Sequence, residues 1–202
     1  MNNTLLQLNI CQNAKSGNTL VTKGEERIEE YVNGINKLFE YSFIDKADVL
    51  LCDNSTERLD ERIVKALPLD CQYVLYEDNR GDVNKGAGHL HQWQVCADIM
   101  EKYEWILYFE PRQLLQDFKF FDSFFNNPRN LFNVRKNHFW TGILSIESKL
   151  LRMFIESKSL TPQESLEYAL FDYMRAHNYQ HEEVNLLWHD VTSGRWCKLD
   201  EI

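Results

Sequence analysis

Proline and glycine are scarce in this chain, with four prolines and eight glycines among 202 residues. So thin a supply excludes collagen-like and low-complexity architectures, which use one or both in quantity. Basic residues are also outnumbered, 22 Lys and Arg against 31 Asp and Glu, for a formal net charge of −9. An extended nucleic-acid surface needs clustered cations, so none is expected. Every apolar run falls far short of the length that crosses a bilayer, and the first residues do not read as a secretory leader. The five cysteines, at positions 11, 52, 71, 96 and 197, include no Cys-x-x-Cys pair, and several sit inside apolar runs. That argues against a zinc ribbon or disulfide framework and for reduced, buried thiols in a cytoplasmic protein.

What is present is a hydrophobic content of 44%, enough for one substantial core, so residues 1–202 are expected to form a single domain. The most informative stretch is residues 72–115. Within it, residues 73–76 and 105–109 are short apolar runs of strand character. Between them Leu90, Trp93, Cys96, Ala97, Met100 and Tyr103 recur at helical spacing. A strand–helix–strand unit with right-handed crossover makes the two strands parallel. Ligands of such sheets lie at the carboxyl ends of the strands. Those ends carry Glu77-Asp78-Asn79, a loop with Gly81, Gly86 and Gly88, and Glu110-Pro111-Arg112.

Upstream, residues 4–11 and 48–52 read as strands, separated by a polar loop (12–24) and a helix (25–41). Residues 57–67 read as a helix capped by Ser55 or Thr56. The order β-α-β-α-β-α-β is that of a doubly wound sheet. Downstream the pattern is mixed. Residues 118–125 carry a phenylalanine cluster expected in the core or at an oligomer face. Strands are expected at 131–134, 138–145 and 184–188, and helices at 150–157 and 164–177. The expected fold is therefore α/β, a mostly parallel sheet flanked by helices, with a mixed second half.

Several of these residues have two readings. Asp53, at a strand end, can accept two hydrogen bonds from a ligand or close an Asx turn. The glycines admit close backbone approach, and helix N-terminal amides favour anions, with Lys85 adding charge; a flexible connection needs the same glycines. His89 and His91, two apart on a helix, face different ways and make a poor metal pair.

Taken together, these residues resemble the glycosyltransferases of the GT-A fold, which use nucleotide-sugar donors, over residues 4–190. Asp53-Asn54-Ser55-Thr56 is similar to the Asp-Asp-x-Ser-x-Asp turn of that fold. Asn79-Arg80-Gly81 with Asn84-Lys85-Gly86-Ala87-Gly88 is similar to its Asn-x-Gly loop. Glu164-Ser165-Leu166-Glu167, followed by His177-Asn178-Tyr179, is similar to its acceptor-side Glu-Asp helix and Gly-Tyr ending. Phe109-Glu110-Pro111-Arg112 stands where the family has Asp-x-Asp.

The resemblance implies a nucleotide-binding half over about residues 1–115 and an acceptor half over about 116–202. It implies a donor held by Gln12, Asp53, Asn79, Lys85, Gly86, Gly88 and Glu110, and transfer with inversion to a hydroxyl of a glycan or small acceptor. Glu167 is then the general base and Glu164, one turn away, the other candidate; both also read as helix-start acids capped by Thr161 or Ser165. Trp140-Thr141-Gly142 would floor the acceptor site by stacking on a sugar ring, or Trp140 would be core. Asp-x-Asp holds Mg²⁺ or Mn²⁺. A guanidinium cannot, but it pairs bidentately with phosphate. Arg112 is thus expected to neutralise the leaving nucleotide, with no cofactor required, unless it is a surface arginine paired with Glu110. The alternative is Mg²⁺ or Mn²⁺ held by Glu110 and His189. A nucleotidyltransferase on a similar fold and a non-catalytic sugar-nucleotide-binding module are the other readings, and peripheral membrane contact stays open.

Overall fold

The computed structural model describes residues 2–14, 24–42, 44–80, 84–159, 161, 164–190 and 195–199, without the side chains of 189, 190 and 195. Residues 15–23 of the expected polar loop, Gly81, and the side chain of His189 lie outside the described residues. The first half runs β1 (Thr4–Ile10), α1 (Gly24–Phe39), β2 (Asp48–Asp53), α2 (Glu61–Ala66), β3 (Gln72–Leu75), α3 (Lys85–Met100) and β4 (Trp105–Phe109). Its strands pair in parallel in the order β3-β2-β1-β4. The strands flanking α3 are parallel, as the crossover requires, but β2 and β1 lie between them. β1 is buried along its whole length, as a strand covered on both faces must be.

The second half adds β5 (Gln113–Leu115), α4 (Lys119–Asn126), β6 (Leu131–Arg135), β7 (His138–Glu147), α5 (Ser148–Ser157), α6 (Leu166–Met174), β8 (Gln180–His181), β9 (Leu186–Asp190) and β10 (Arg195–Lys198). β7 runs antiparallel to β4 and, with β6 and β8, extends the sheet to seven strands. β5, β9 and β10 form a separate three-stranded antiparallel sheet.

One apolar cluster gathers Leu6, Leu8 and Ile10 of β1 with α1, α2 and α4; the other gathers Leu5 with α3, α5 and α6. The period-two alternation of β1 feeds both. All six apolar positions read on α3 and its end, Leu90 to Tyr103, are buried in the second cluster. Phe120, Phe121 and Phe124 are buried in the first, which places the phenylalanine cluster in the core rather than on a face for a second copy.

Three local expectations are corrected. α2 begins at Glu61, not 57, because Asp60 caps it through a bond from the Arg62 amide. Thr56 is used instead in a tight turn, its hydroxyl accepting from the Arg58 amide. α6 spans Leu166–Met174, shorter than 164–177, and Ser165 sits at its N-cap without a side-chain capping bond. The strand expected at 184–188 is shifted to Leu186–Asp190, where it pairs with β5.

Gly34 locks α1 to the turn after β4. A Cβ built there would lie 1.7 Å from the Pro111 carbonyl oxygen and 2.9 Å from that of Gln113. Both obstacles are backbone, so relief requires moving the helix or the turn. Gly34→Ala is expected to cost about 3 kcal/mol, the upper part of the usual overpacking range. Urea unfolding measures it; a variant within ~0.5 kcal/mol of wild type would remove this account of the turn's placement.

Candidate active site

Asn84 organises the cleft. Its side-chain oxygen caps α3 by accepting from the Gly86 and Ala87 amides at 2.8 and 3.3 Å. Its amide nitrogen donates to the Thr161 and Glu164 carbonyls at 2.8 and 2.7 Å. One residue thus fastens the start of α3 to the segment leading into α6. Gly86 lets the two close: a Cβ there would meet the Leu166 Cβ at 2.9 Å. Asn84 already satisfies the Gly86 amide, so the close approach it permits is between helices, and the expected run of open amides for an anion meets a cap. Gly88 is buried within α3 and its amide is bonded to the Asn84 carbonyl.

The turn after β4 supplies the opposite wall. The Glu110 amide donates to the Gly142 carbonyl at 2.8 Å, joining it to β7. Arg112 Nη2 and Nε both reach Glu110 Oε1, at 2.6 and 3.1 Å. The side chains of both are only 12% exposed, so Arg112 is a semi-buried partner of Glu110 rather than a surface arginine. Burial pushes the Glu110 carboxyl up, but Lys85, Arg112 and His89 outweigh it and hold the group well below the usual carboxylate range. Burial opposes the Arg112 charge and Glu110 restores it.

The resulting cleft, about 170 Å³, is lined by Lys85, Gly86 and His89 of α3, by Glu110, Arg112 and Gln113, by Trp140, Thr141 and Gly142 of β7, by Glu167 of α6 and by Trp188 of β9. Glu167 accepts from Ser165 Oγ at 2.5 Å and from Thr141 Oγ1 at 3.3 Å. Burial raises its pKa, yet the Ser165 hydroxyl, its own backbone amide, Lys85 and His89 bring it below its ordinary value of 4.5, so it is a carboxylate at neutral pH.

Of the residues singled out in the sequence, Lys85, Gly86, Glu110, Arg112, Trp140, Thr141, Gly142 and Glu167 converge here. Gln12, Asp53 and Asn79 form a second group at the carboxyl ends of β1, β2 and β3. Asp53 is fully buried and accepts from the Ser55 amide and hydroxyl, both at 2.6 Å, and from the Gln12 amide at 2.9 Å. It therefore closes an Asx turn and ties the β1 and β2 loops together. Gln12 accepts from the Asp60 amide, and Asn79 donates to Cys11 Sγ. Glu164 stands before α6, outside the cleft lining, bonded to Lys158 and the Thr161 amide. His89 faces the cleft while His91 turns to Tyr76 and Asp78, the divergence their spacing dictates.

The donor chemistry around Glu110 does not fit a divalent cation. One of its oxygens carries two guanidinium bonds, and Lys85 adds a second positive charge nearby. Hard cations want several carboxylate oxygens, not competing cations.

Sequence reasoning did not place Gln113 or Trp188 here. Gln113 and Trp188 are cross-strand partners between β5 and β9, more than seventy positions apart, and no local pattern announces such a pairing. A Cβ at Gly142 would lie 1.8 Å from Gln113 Nε2, so this glycine makes room for that side chain.

This sheet order, its antiparallel β7 and a cleft at the carboxyl ends are those of the GT-A-like, nucleotide-diphospho-sugar transferase fold. A protein from Desulfovibrio desulfuricans G20 designated a nucleotide-diphospho-sugar transferase superposes with a TM-score of 0.58 at 11% identity, over 90% of this chain and 80% of that one. TarS 1–349 of S. aureus gives 0.54 at 14% identity, over 90% of this chain, which spans 58% of that structure. A cytidylyltransferase from Leptospira borgpetersenii gives 0.52 at 16%, over 89% of this chain and 74% of that one. No family model and no curated protein matches the chain in sequence. At these identities the likeness is one of fold. Among the described residues, no helix is long and apolar enough to cross a membrane.

Proposed function

We propose that this chain is a glycosyltransferase that moves a sugar from a nucleotide-sugar donor to an acceptor hydroxyl, with inversion. The observation that carries the reading is the convergence in one cleft of an ionised carboxylate, Glu167, with the cations Lys85 and Arg112 beside two indoles. The first half of the chain, about 1–115, supplies the cations and the second, about 116–202, the carboxylate and indoles, so donor and acceptor meet where the halves join. The cleft is smaller than the ~300–1,000 Å³ typical of whole-ligand pockets, so it takes a sugar ring. The nucleoside lies along the carboxyl edge toward Gln12, Asp53 and Asn79.

In the reaction the acceptor oxygen attacks the anomeric carbon as the bond to the diphosphate breaks. Glu167 takes the acceptor proton, and Arg112 and Lys85 stabilise the charge that develops on the leaving diphosphate. Electrostatic stabilisation of this kind needs no divalent cation.

A cytidylyltransferase shares the fold, so nucleotidyl transfer is the second reading. The two differ in what leaves. Purified protein given UDP-, GDP- and CDP-activated sugars is expected to release the nucleoside diphosphate by transfer or slow hydrolysis. Release of pyrophosphate from nucleoside triphosphates with sugar phosphates, and none from the activated sugars, would overturn glycosyl transfer.

A further inference from the structure

Two hydrogen-bond donors in the cleft wall have no partner among the described residues. Gln113 is 3% exposed, and its oxygen accepts from Trp140 Nε1 at 3.0 Å. Indole N–H is only a donor, so this bond fixes the amide's orientation and leaves Gln113 Nε2 as the free donor. That nitrogen and Trp188 Nε1 are buried and without a partner among the described residues. Both residues line the cleft, side by side on paired strands. The Trp140 and Trp188 rings meet edge to face, with centroids 5.4 Å apart and planes at 70°. Leaving a buried donor unbonded is costly, and here it happens twice in one wall of the cleft. Oxygens of a ligand in the cleft would satisfy both.

We propose that Gln113, Trp140 and Trp188 form a subsite for an uncharged pyranose. The ring's C–H face lies on the indole pair, and two of its oxygens accept from Gln113 Nε2 and Trp188 Nε1. Aromatic faces and neutral N–H donors suit a sugar, which has an apolar face and a rim of oxygens. The acidic groups argue for the uncharged class. Glu110 and Glu167 line the same cleft, and its cations, Arg112 and Lys85, are committed to the diphosphate, so a sugar carboxylate would face two carboxylates without a cation of its own. The subsite deepens the glycosyltransferase reading and rests on it for whether the ring belongs to donor or acceptor.

Gln113→Glu and Trp188→Phe test it. The first keeps an oxygen for Trp140 and replaces the free donor by a second oxygen; the second keeps a ring and removes its N–H. Calorimetric titrations would compare UDP-glucose and GDP-mannose with UDP and GDP, and methyl glucopyranosides and mannopyranosides with UDP present. In either variant, binding of the sugar-bearing probe is expected to weaken about five- to tenfold, the worth of one hydrogen bond, while UDP and GDP bind as in wild type. Loss confined to the nucleotide sugars assigns the ring to the donor; loss confined to the pyranosides assigns it to the acceptor. UDP-glucuronate is expected to bind more weakly than UDP-glucose. Unchanged sugar binding in both variants overturns the subsite and leaves the donor reading standing. If neither nucleotides nor nucleotide sugars bind but the pyranosides do, the donor reading fails and the subsite survives; if nothing binds wild type, both fail.

Discussion

Glu167→Gln is expected to slow sugar transfer by roughly 10²–10⁴-fold, the range that a positioned general base contributes. Affinity for the nucleotide sugar should hardly change, because a base acts on a proton that moves only in the transition state. The amide preserves the size and can still accept from Ser165 and Thr141, so folding is not the variable. The comparison is Glu164→Gln. That carboxylate lies outside the cleft lining, on Lys158 and the Thr161 amide, and its loss should leave the rate near wild type. The pH profile supplies an independent readout. A carboxylate held below its ordinary value of 4.5 stays charged as pH falls until that lower value is reached. The base form thus already predominates at pH 4.5 and is lost only as pH falls through the depressed pKa. An acid limb in kcat/KM close to neutrality would move the role to another group, such as His89, the histidine that lines the cleft. Full turnover by Glu167→Gln would end the assignment.

Glu167 also shows how far the sequence could be read. Counting one helical turn between Glu164 and Glu167 puts both on one face, but α6 begins at Leu166. Asn84, eighty positions upstream, binds the Glu164 carbonyl and decides where the chain enters the helix. Long apolar periodicities were legible because burial imposes them locally, as along α3 and β4. β5 was not, since three residues carry no period and gain their structure from β9. With it went Gln113 and Trp188. Asp53 was legible as a polar strand end but not as a closed turn, since Ser55 and Gln12 both had to be positioned before its oxygens were accounted for. The Glu-Pro-Arg departure stood out by residue type alone, and the ion pair between its ends follows from their spacing across a proline turn.

That ion pair carries the second large effect. Arg112→Ala is expected to lower kcat/KM by roughly 10²–10³-fold, about 3–4 kcal/mol, the scale of removing one preorganised electrostatic donor from a developing oxyanion. On the proposed mechanism Arg112 and Lys85 meet the diphosphate's charge, so wild-type transfer should persist in EDTA. Arg112→Lys should recover only part of the loss, since an ammonium lacks the planar fork. Removing the guanidinium also frees Glu110, which then lies buried near Lys85 with one charge fewer to hold it ionised. Arg112→Ala should for that reason be less stable than wild type, whereas Arg112→Ala combined with Glu110→Gln should regain stability but not rate. This separates the fold's need for the pair from the reaction's need for the cation. The competing arrangement, a cation held by Glu110 and His189, predicts the reverse pattern. EDTA would stop turnover, Mn²⁺ would restore it, and His189→Ala would reproduce the chelated state. One metal titration of wild type and Arg112→Ala decides the matter, and strict Mn²⁺ dependence with an Arg112→Ala enzyme of normal rate would falsify the role given to the guanidinium.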